Sequence, residues 1–148
     1  YTYGVGLIKG SHSVTELVYH FTFVTKYRRE RLVGRLKQTL SGMIKFCAQI
    51  NDWKILELNI QPDHVHLLMQ ARSDDSPSII MQLIKGGTSK KLREMYPVSV
   101  ESIWARHFWS DGYYSGTVGT RDLERVAKYV RDQDKHYVKE PGSRTRGF

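Results

Sequence analysis

From Leu17 to Thr25 the chain reads LVYHFTFVT, an aromatic and β-branched run that predicts a strand. It passes directly into the basic cluster Lys26, Arg28, Arg29 and Arg31, which predicts a charged loop. Between Leu32 and Ile50 the period changes. Val33, Leu36, Leu40, Met43, Ile44, Cys47 and Ile50 recur at three- and four-residue steps, the apolar stripe of an amphipathic helix. Trp53 to Ile60 and His64 to Ala71 then read as two strands joined by the turn Gln61-Pro62-Asp63, an antiparallel hairpin. Ser76 is placed to cap a second helix and Pro77 to open it, with Ile79, Ile80, Leu83, Ile84, Leu92 and Met95 forming its stripe up to a stop at Pro97.

Trp104 to Thr120 mixes aromatic residues with Gly112, Gly116 and Gly119, which predicts a strand followed by a flexible connection. Arg121 to about Tyr137 reads as a last helix, with Thr120 as its N-cap and Asp122 and Glu124 favourably placed in its first turn. The order β-α-β-β-α-β followed by a helix belongs to the α+β class. It predicts a ferredoxin-like (RRM-like) antiparallel sheet with two helices on one face and a C-terminal helix that carries Tyr129. No repeat, low-complexity tract or linker divides residues 1–148, so a single domain is expected, with a loose tail over 138–148.

Charge adds a partner to this picture. Lysine and arginine number 23 against 15 aspartate and glutamate, a formal charge of +8, and a positive surface attracts phosphate backbones through charge neutralisation and counterion release. Composition alone leaves open whether any such partner is specific. The single cysteine, Cys47, excludes an intramolecular disulfide framework and a zinc knuckle built on paired thiolates, and it points to a reducing compartment. The opening YTYGVGLIKGSHS lacks the basic and long apolar segments of a signal peptide. No stretch reaches the roughly 18 apolar residues of a membrane helix, so a cytoplasmic protein without a membrane partner is expected.

Three patterns hold candidate chemistry. His64 and His66 lie two apart on a predicted strand, so both imidazoles point to one face, about 6.6 Å apart along the backbone. Val65, Leu67 and Met69 would then face the helices, leaving the histidines on the sheet's open face beside Leu68 and Gln70. Such a pair suits either a metal ion or two hydrogen-bonded histidines. Tyr129 and Gln133 stand at i and i+4 on the last helix, about 40° apart, and share one side. They flank the stripe Leu123, Val126, Ala127 and Val130, where a tyrosine ordinarily packs its ring and exposes its hydroxyl. Gly86-Gly87 lies inside the second helix between Lys85 and the pair Lys90 and Lys91. Two helical glycines fit close approach of a phosphate backbone or partner helix, or equally a break between two short helices.

The segment PDHVHLLM (Pro62 to Met69) resembles the HUH motif, histidine-hydrophobic-histidine, of the TnpA-type single-tyrosine transposases of insertion-sequence 200/605 type. Four further blocks match in the same order: YHFTFVTKYRR (Tyr19 to Arg29), LIKGGTSKKL (Leu83 to Leu92), FWSDGYYSGTVGT (Phe108 to Thr120) and KYVRDQ (Lys128 to Gln133). The resemblance covers about residues 13–137. Asp111 departs from it, since a basic residue is common at that position, as does the double glycine.

The resemblance implies a DNA transposase that cleaves and rejoins single-stranded DNA at hairpin-bearing element ends through a 5′-phosphotyrosine. Tyr129 would be the nucleophile, and His64, His66 and Gln133 would bind a divalent cation, Mg²⁺ or Mn²⁺. It further implies a homodimer in which the tyrosine helix of one subunit can complete the histidine site of the other. Lys26, Arg28, Arg29, Lys85, Lys90 and Lys91 are the candidate DNA contacts. No GxxxxGK[ST] phosphate loop is present, and no nucleotide cofactor is expected because the phosphotyrosine ester conserves the bond energy for rejoining. Rival readings are a domesticated palindrome-processing relative, a metal-dependent hydrolase without a tyrosyl intermediate, and a non-catalytic nucleic-acid-binding module that stacks bases on Tyr19 or Trp109.

Overall fold

A computed structural model describes residues 8–9, 14–15, 17–96 and 107–136. Two short strands, β1 (Ile8–Lys9) and β2 (Val14–Thr15), pair antiparallel with each other. The main sheet comprises β3 (Val18–Val24), β4 (Lys54–Gln61), β5 (His64–Gln70) and β6 (Tyr114–Thr117). Its spatial order is β4-β5-β3-β6 with every neighbouring pair antiparallel. Helix α1 (Gly34–Ile50) connects β3 to β4, and α2 (Pro77–Met95) follows β5. This is the expected ferredoxin-like plan. The C-terminal segment forms α3 (Leu123–Arg131) and a single turn, α4 (Gln133–His136).

The two-residue period of β5 decides where the layers go. Val65, Leu67 and Met69 point into the main core with Phe21 and Phe23 of β3, Leu36, Leu40 and Ile44 of α1, and Ile80 and Ile84 of α2. Leu68, on the opposite face, meets Val18 and the α3 residues Leu123, Ala127 and Val130 in a second, smaller cluster. The face expected to be open is therefore roofed by α3, and His64 and His66 are both buried beneath it. The β-branched and aromatic character of β3 follows from this position between two layers, with Tyr19, Phe21 and Phe23 in the main core and the polar His20 and Thr22 on the α3 face.

Several boundaries differ from the sequence expectation. Val33 precedes α1 as its cap and is exposed, as is Ile50 at the other end, while Ala48 completes the buried stripe and Cys47 is only half-buried. Ser76 does cap α2, its hydroxyl accepting from the Ile79 N–H, and Pro77 opens it. Ile79, Leu83 and Met95 lie on the solvent side of the stripe. Gly86-Gly87 sits in a continuous helix, and a Cβ built on either glycine meets nothing within 4 Å. The last helix does not begin at a Thr120 cap: Thr120–Asp122 forms a 3-10 turn without a side-chain cap bond. Nor is it continuous, for it breaks at Asp132 before restarting at Gln133. The strand expected from Trp104 starts at Tyr114, with Trp109 held in an isolated bridge to Thr25. Trp104, the stop at Pro97, Tyr137 and the tail lie outside the described residues. Among the described residues no helix is long and apolar enough to cross a membrane.

Candidate active site

Antiparallel register assembles the site in rows on the α3 face of the sheet. Asn59, His66, Thr22 and Tyr114 are cross-strand neighbours on β4, β5, β3 and β6, and Glu57, Leu68, His20 and Gly116 form the adjoining row. Paired residues of an antiparallel ladder share a face, so His20, Thr22, His66 and Tyr114 converge although they are far apart in the chain. The rings of His64 and His66 stand 5.0 Å apart at 82°. His20 stacks on His66 at 5.4 Å and 23°.

Each histidine of the motif is oriented by a partner. The Nδ1 of His64 lies 2.7 Å from the buried Asp63 carboxylate, whose other oxygen accepts from Arg28 Nε at 3.0 Å. A carboxylate on Nδ1 fixes the proton there and puts the ring's lone pair on Nε2. Burial raises the pKa of Asp63, but the hydrogen bond from His64 and the Arg28 charge outweigh it and hold this carboxyl below its usual range. His66 Nδ1 is 3.1 Å from Thr22 Oγ1 and 3.2 Å from His20 Nε2. Burial, reinforced by the charges His64 and His20 would carry, pushes the His66 pKa down to about 3 against a weaker upward pull from Gln133. His66 is therefore a neutral lone-pair donor at physiological pH. Burial lowers the pKa of His20 as well.

Tyr129 and Gln133 arrive from above. Leu123, Ala127 and Val130 seat α3 on the sheet, which leaves the Tyr129 ring at the rim, 50% exposed and 5.8 Å from the His66 ring. The same ring stands 6.2 Å from His20. Gln133 is buried, hydrogen-bonds to His66, and donates from Nε2 to the Tyr129 carbonyl at 3.1 Å. The break at Asp132 is gripped by the polar row of β4. Asn59 donates to the Arg131 carbonyl at 3.2 Å, Arg131 pairs with Glu57 at 3.3 Å, and Gln61 bonds Asp134. These contacts turn Gln133 inward. Together His20, Thr22, His66, Tyr114, Arg125, Val126 and Tyr129 line a cleft of about 620 Å³.

The structure thus brings together His64, His66, Tyr129 and Gln133, the four residues singled out in the sequence. The basic candidates divide. Arg28 is engaged by Asp63 directly behind the site, Lys26 lies 5.4 Å from the Tyr27 ring, and Arg29 is exposed on the same loop. Lys85 donates to the carbonyls of Ser110 and Gly112 at 2.8 and 2.7 Å, tying α2 to the connection before β6. Lys90 and Lys91 are exposed on α2, on the far side of the sheet from the histidines, where they rim an apolar groove with Phe46 and Ile50. Sequence reasoning missed His20, Thr22, Asp63 and Tyr114. The first two share the strand period of the histidine motif, and Asp63 reads in the sequence only as a turn residue. Among the described residues no three His, Cys, Asp or Glu side chains are grouped to hold a metal.

The family described as "Transposase IS200 like" matches residues 13–133. The chain is 29% identical over 125 residues to the ISDra2 transposase TnpA of Deinococcus radiodurans, covering 84% of this chain and 89% of the relative. It is 28% identical over 123 residues to the transposase for insertion sequence element IS200 of Salmonella typhimurium, covering 83% and 80%. Among solved structures, a Deinococcus radiodurans R1 protein assigned as a transposase superposes with a TM-score of 0.68 at 26% identity, covering 85% of this chain and 97% of that one. A REP-associated tyrosine transposase bound to a REP hairpin superposes with a TM-score of 0.64 at 18% identity, covering 87% and 73%, a likeness of fold.

Proposed function

The chain belongs to the IS200-like transposase family, and from that premise we propose that it cleaves and rejoins single-stranded DNA at hairpin-bearing element ends, with Tyr129 as nucleophile. The observation that carries this reading is the convergence of Tyr129, His64, His66 and Gln133 from β5 and the α3–α4 segment onto one site. A rim position suits a nucleophile. The half-exposed Tyr129 ring can meet a strand that lies in the cleft, while the buried histidines keep their geometry without it.

In the proposed reaction Tyr129 Oη forms a bond to the scissile phosphorus as the bond from phosphorus to the 3′ oxygen breaks. The products are a 5′-phosphotyrosine and a free 3′-hydroxyl, and the phenolic proton ends on the departing oxygen. Attack of another 3′-hydroxyl on the ester runs the same exchange in reverse and restores Tyr129, so rejoining needs no nucleotide cofactor. The phenol of an unperturbed tyrosine has a pKa of about 10, so stabilisation of its anion is part of the catalytic demand.

The donor set fits a divalent cation, Mg²⁺ or Mn²⁺. His66 is held neutral, His64 has the carboxylate support that ligating histidines ordinarily have, and the Gln133 amide is directed to the same place by its bond to Tyr129. Bound by His64, His66 and Gln133, the cation would polarise a phosphoryl oxygen. The exposed cation Arg29, with Lys26 on the same loop, would hold the DNA backbone beside the site. The protein would act as a homodimer.

The test offers one element end as top strand, bottom strand and duplex. Cleavage of one single strand, with a covalent adduct that survives denaturation, is the expected result. Equal cleavage of all three forms overturns the reading.

A further inference from the structure

Tyr114 has no part in the chemistry above, yet it is the aromatic residue of β6 that faces the cleft. Its ring lies down along its own strand. A Cβ at Gly116 would come within 2.6 Å of the Tyr114 hydroxyl and 3.3 Å of Cζ, so the ring occupies the space a side chain at position 116 would fill. Positions 114 and 116 share a strand face, and Gly116 is directly opposite His20. The His20 ring meets Tyr114 edge-on, with centroids 5.6 Å apart and planes at 69°. The ring is thus bedded on a glycine and braced by a histidine, while the residue remains 49% exposed.

We propose that Tyr114, on its Gly116 bed, is a stacking platform for one unpaired base of the DNA strand next to the scissile phosphate. An exposed tyrosine facing an aqueous cleft has an apolar π-face to cover, and a nucleobase covers it whatever its sequence. The cleft is of the size that takes a small planar ligand. Arg125, on α3, lines the same cleft with a side chain that is 75% exposed and ion-paired to Asp122 at 3.1 Å, a surface pair that a backbone phosphate of the bound strand would compete for. Stacking at Tyr114 would hold the strand across the mouth of the site, with its backbone turned toward Tyr129. The platform rests on the single-strand reading above and gives it a subsite that positions the substrate.

The experiment uses the full chain and a short single-stranded oligonucleotide of 5-iododeoxyuridine, which photocrosslinks to aromatic rings stacked on it. The expected crosslink maps to Tyr114. Tyr114→Leu should lose that crosslink and bind at least about fivefold more weakly, whereas Tyr114→Phe should keep both. Gly116→Ala displaces only the far end of a side chain, so it should preserve the fold and reduce the crosslink. Tight binding with crosslinks confined to other residues, or unchanged affinity in Tyr114→Leu, overturns the platform and leaves the transposase reading standing. Failure of the unaltered protein to bind single-stranded DNA overturns both.

Discussion

The ring of Tyr129 meets that of His66 edge-on within one chain, with centroids 5.8 Å apart and planes at 86°. Neither residue reaches the other through its own element. His66 is held by the ladder of β5 with β3 and β4, and Tyr129 by three apolar anchors under α3. His66 is buried in the sheet, while Tyr129 is half-exposed where it lines the cleft. That asymmetry is what a fixed ligand and a reacting nucleophile require.

Tyr129→Phe should therefore keep the fold, with a stability change within about 0.5 kcal/mol as for other surface positions. It should also retain DNA binding and form no covalent adduct. An adduct from this variant on a denaturing gel would transfer the nucleophile to another residue.

His64→Ala and His66→Ala should each abolish cation-dependent cleavage, and Gln133→Ala should weaken it less, because water can take the place of a neutral amide oxygen. Asp63→Asn, which keeps the shape but loses the charge behind His64, should cost about ten- to a hundredfold in activity. Full cleavage in EDTA would reject the cation. DNA binding that persists in EDTA would not, since the proposed recognition is of the phosphate backbone and a hairpin, which needs no cation.

Stability should fall on acidification in a window set by His66. Its folded pKa is about 3 against an ordinary 6.5. Above pH 6.5 the ring is neutral in both states and contributes nothing. Between those values only the unfolded chain takes the proton, so stability declines as pH falls, by up to about 1.4 kcal/mol per unit. His20, also lowered, adds in the same direction. Asp63 acts in the same direction but in a lower window: with its folded pKa held below the usual carboxylate value, its contribution is present above that value and lost as pH falls through the folded pKa. Urea unfolding of the cation-free protein from pH 7.5 down to about pH 4.5 isolates the histidines. The slope should be shallower in His66→Gln, and an unchanged slope would remove His66 as its source.

Three strands of the main sheet, both long helices and the four candidate site residues are legible in the sequence because each is written in a local period. HVHLLM alternates, the α2 stripe opens on a real cap, and Tyr129 and Gln133 sit one helical turn apart. What sequence could not give is set by partners distant in the chain. The roof over His64 and His66 depends on where α3 packs, and the interruption at Asp132 on the grip of Glu57, Asn59 and Gln61. His20 and Tyr114 become site residues only through the β3–β5 and β3–β6 registers. Lys85 reads as a surface cation until Ser110 and Gly112 fold onto it.

The β4 grip makes a separable prediction. Asn59→Ala and Gln61→Ala remove contacts to Arg131 and Asp134 and leave His64, His66 and Tyr129 themselves unaltered, with the β4–β5 backbone ladder intact. Each should lower cleavage by loosening Gln133 and leave adduct formation detectable, and excess cation should recover part of the loss. If excess cation recovers none, the row acts on something other than Gln133.

A final prediction concerns which subunit's tyrosine is used. In this chain Tyr129 stands at its own histidines, so a dimer would contain two sites complete in themselves. Yet α3 is attached by the smaller of the two apolar clusters, through Leu123, Ala127 and Val130. A 3-10 turn and the exposed Gly119 precede it, so exchange between subunits would break that small cluster, the polar contacts to Glu57, Asn59 and Gln61, and the Gln133 bond to His66, and re-form them on the partner. Mixing Tyr129→Phe with His66→Ala decides between the arrangements. With the tyrosine acting at its own histidines, each subunit of the mixture lacks one essential group and no adduct forms. An adduct restored on mixing, carried by the His66→Ala chain, would show that α3 reaches the histidines of the other subunit.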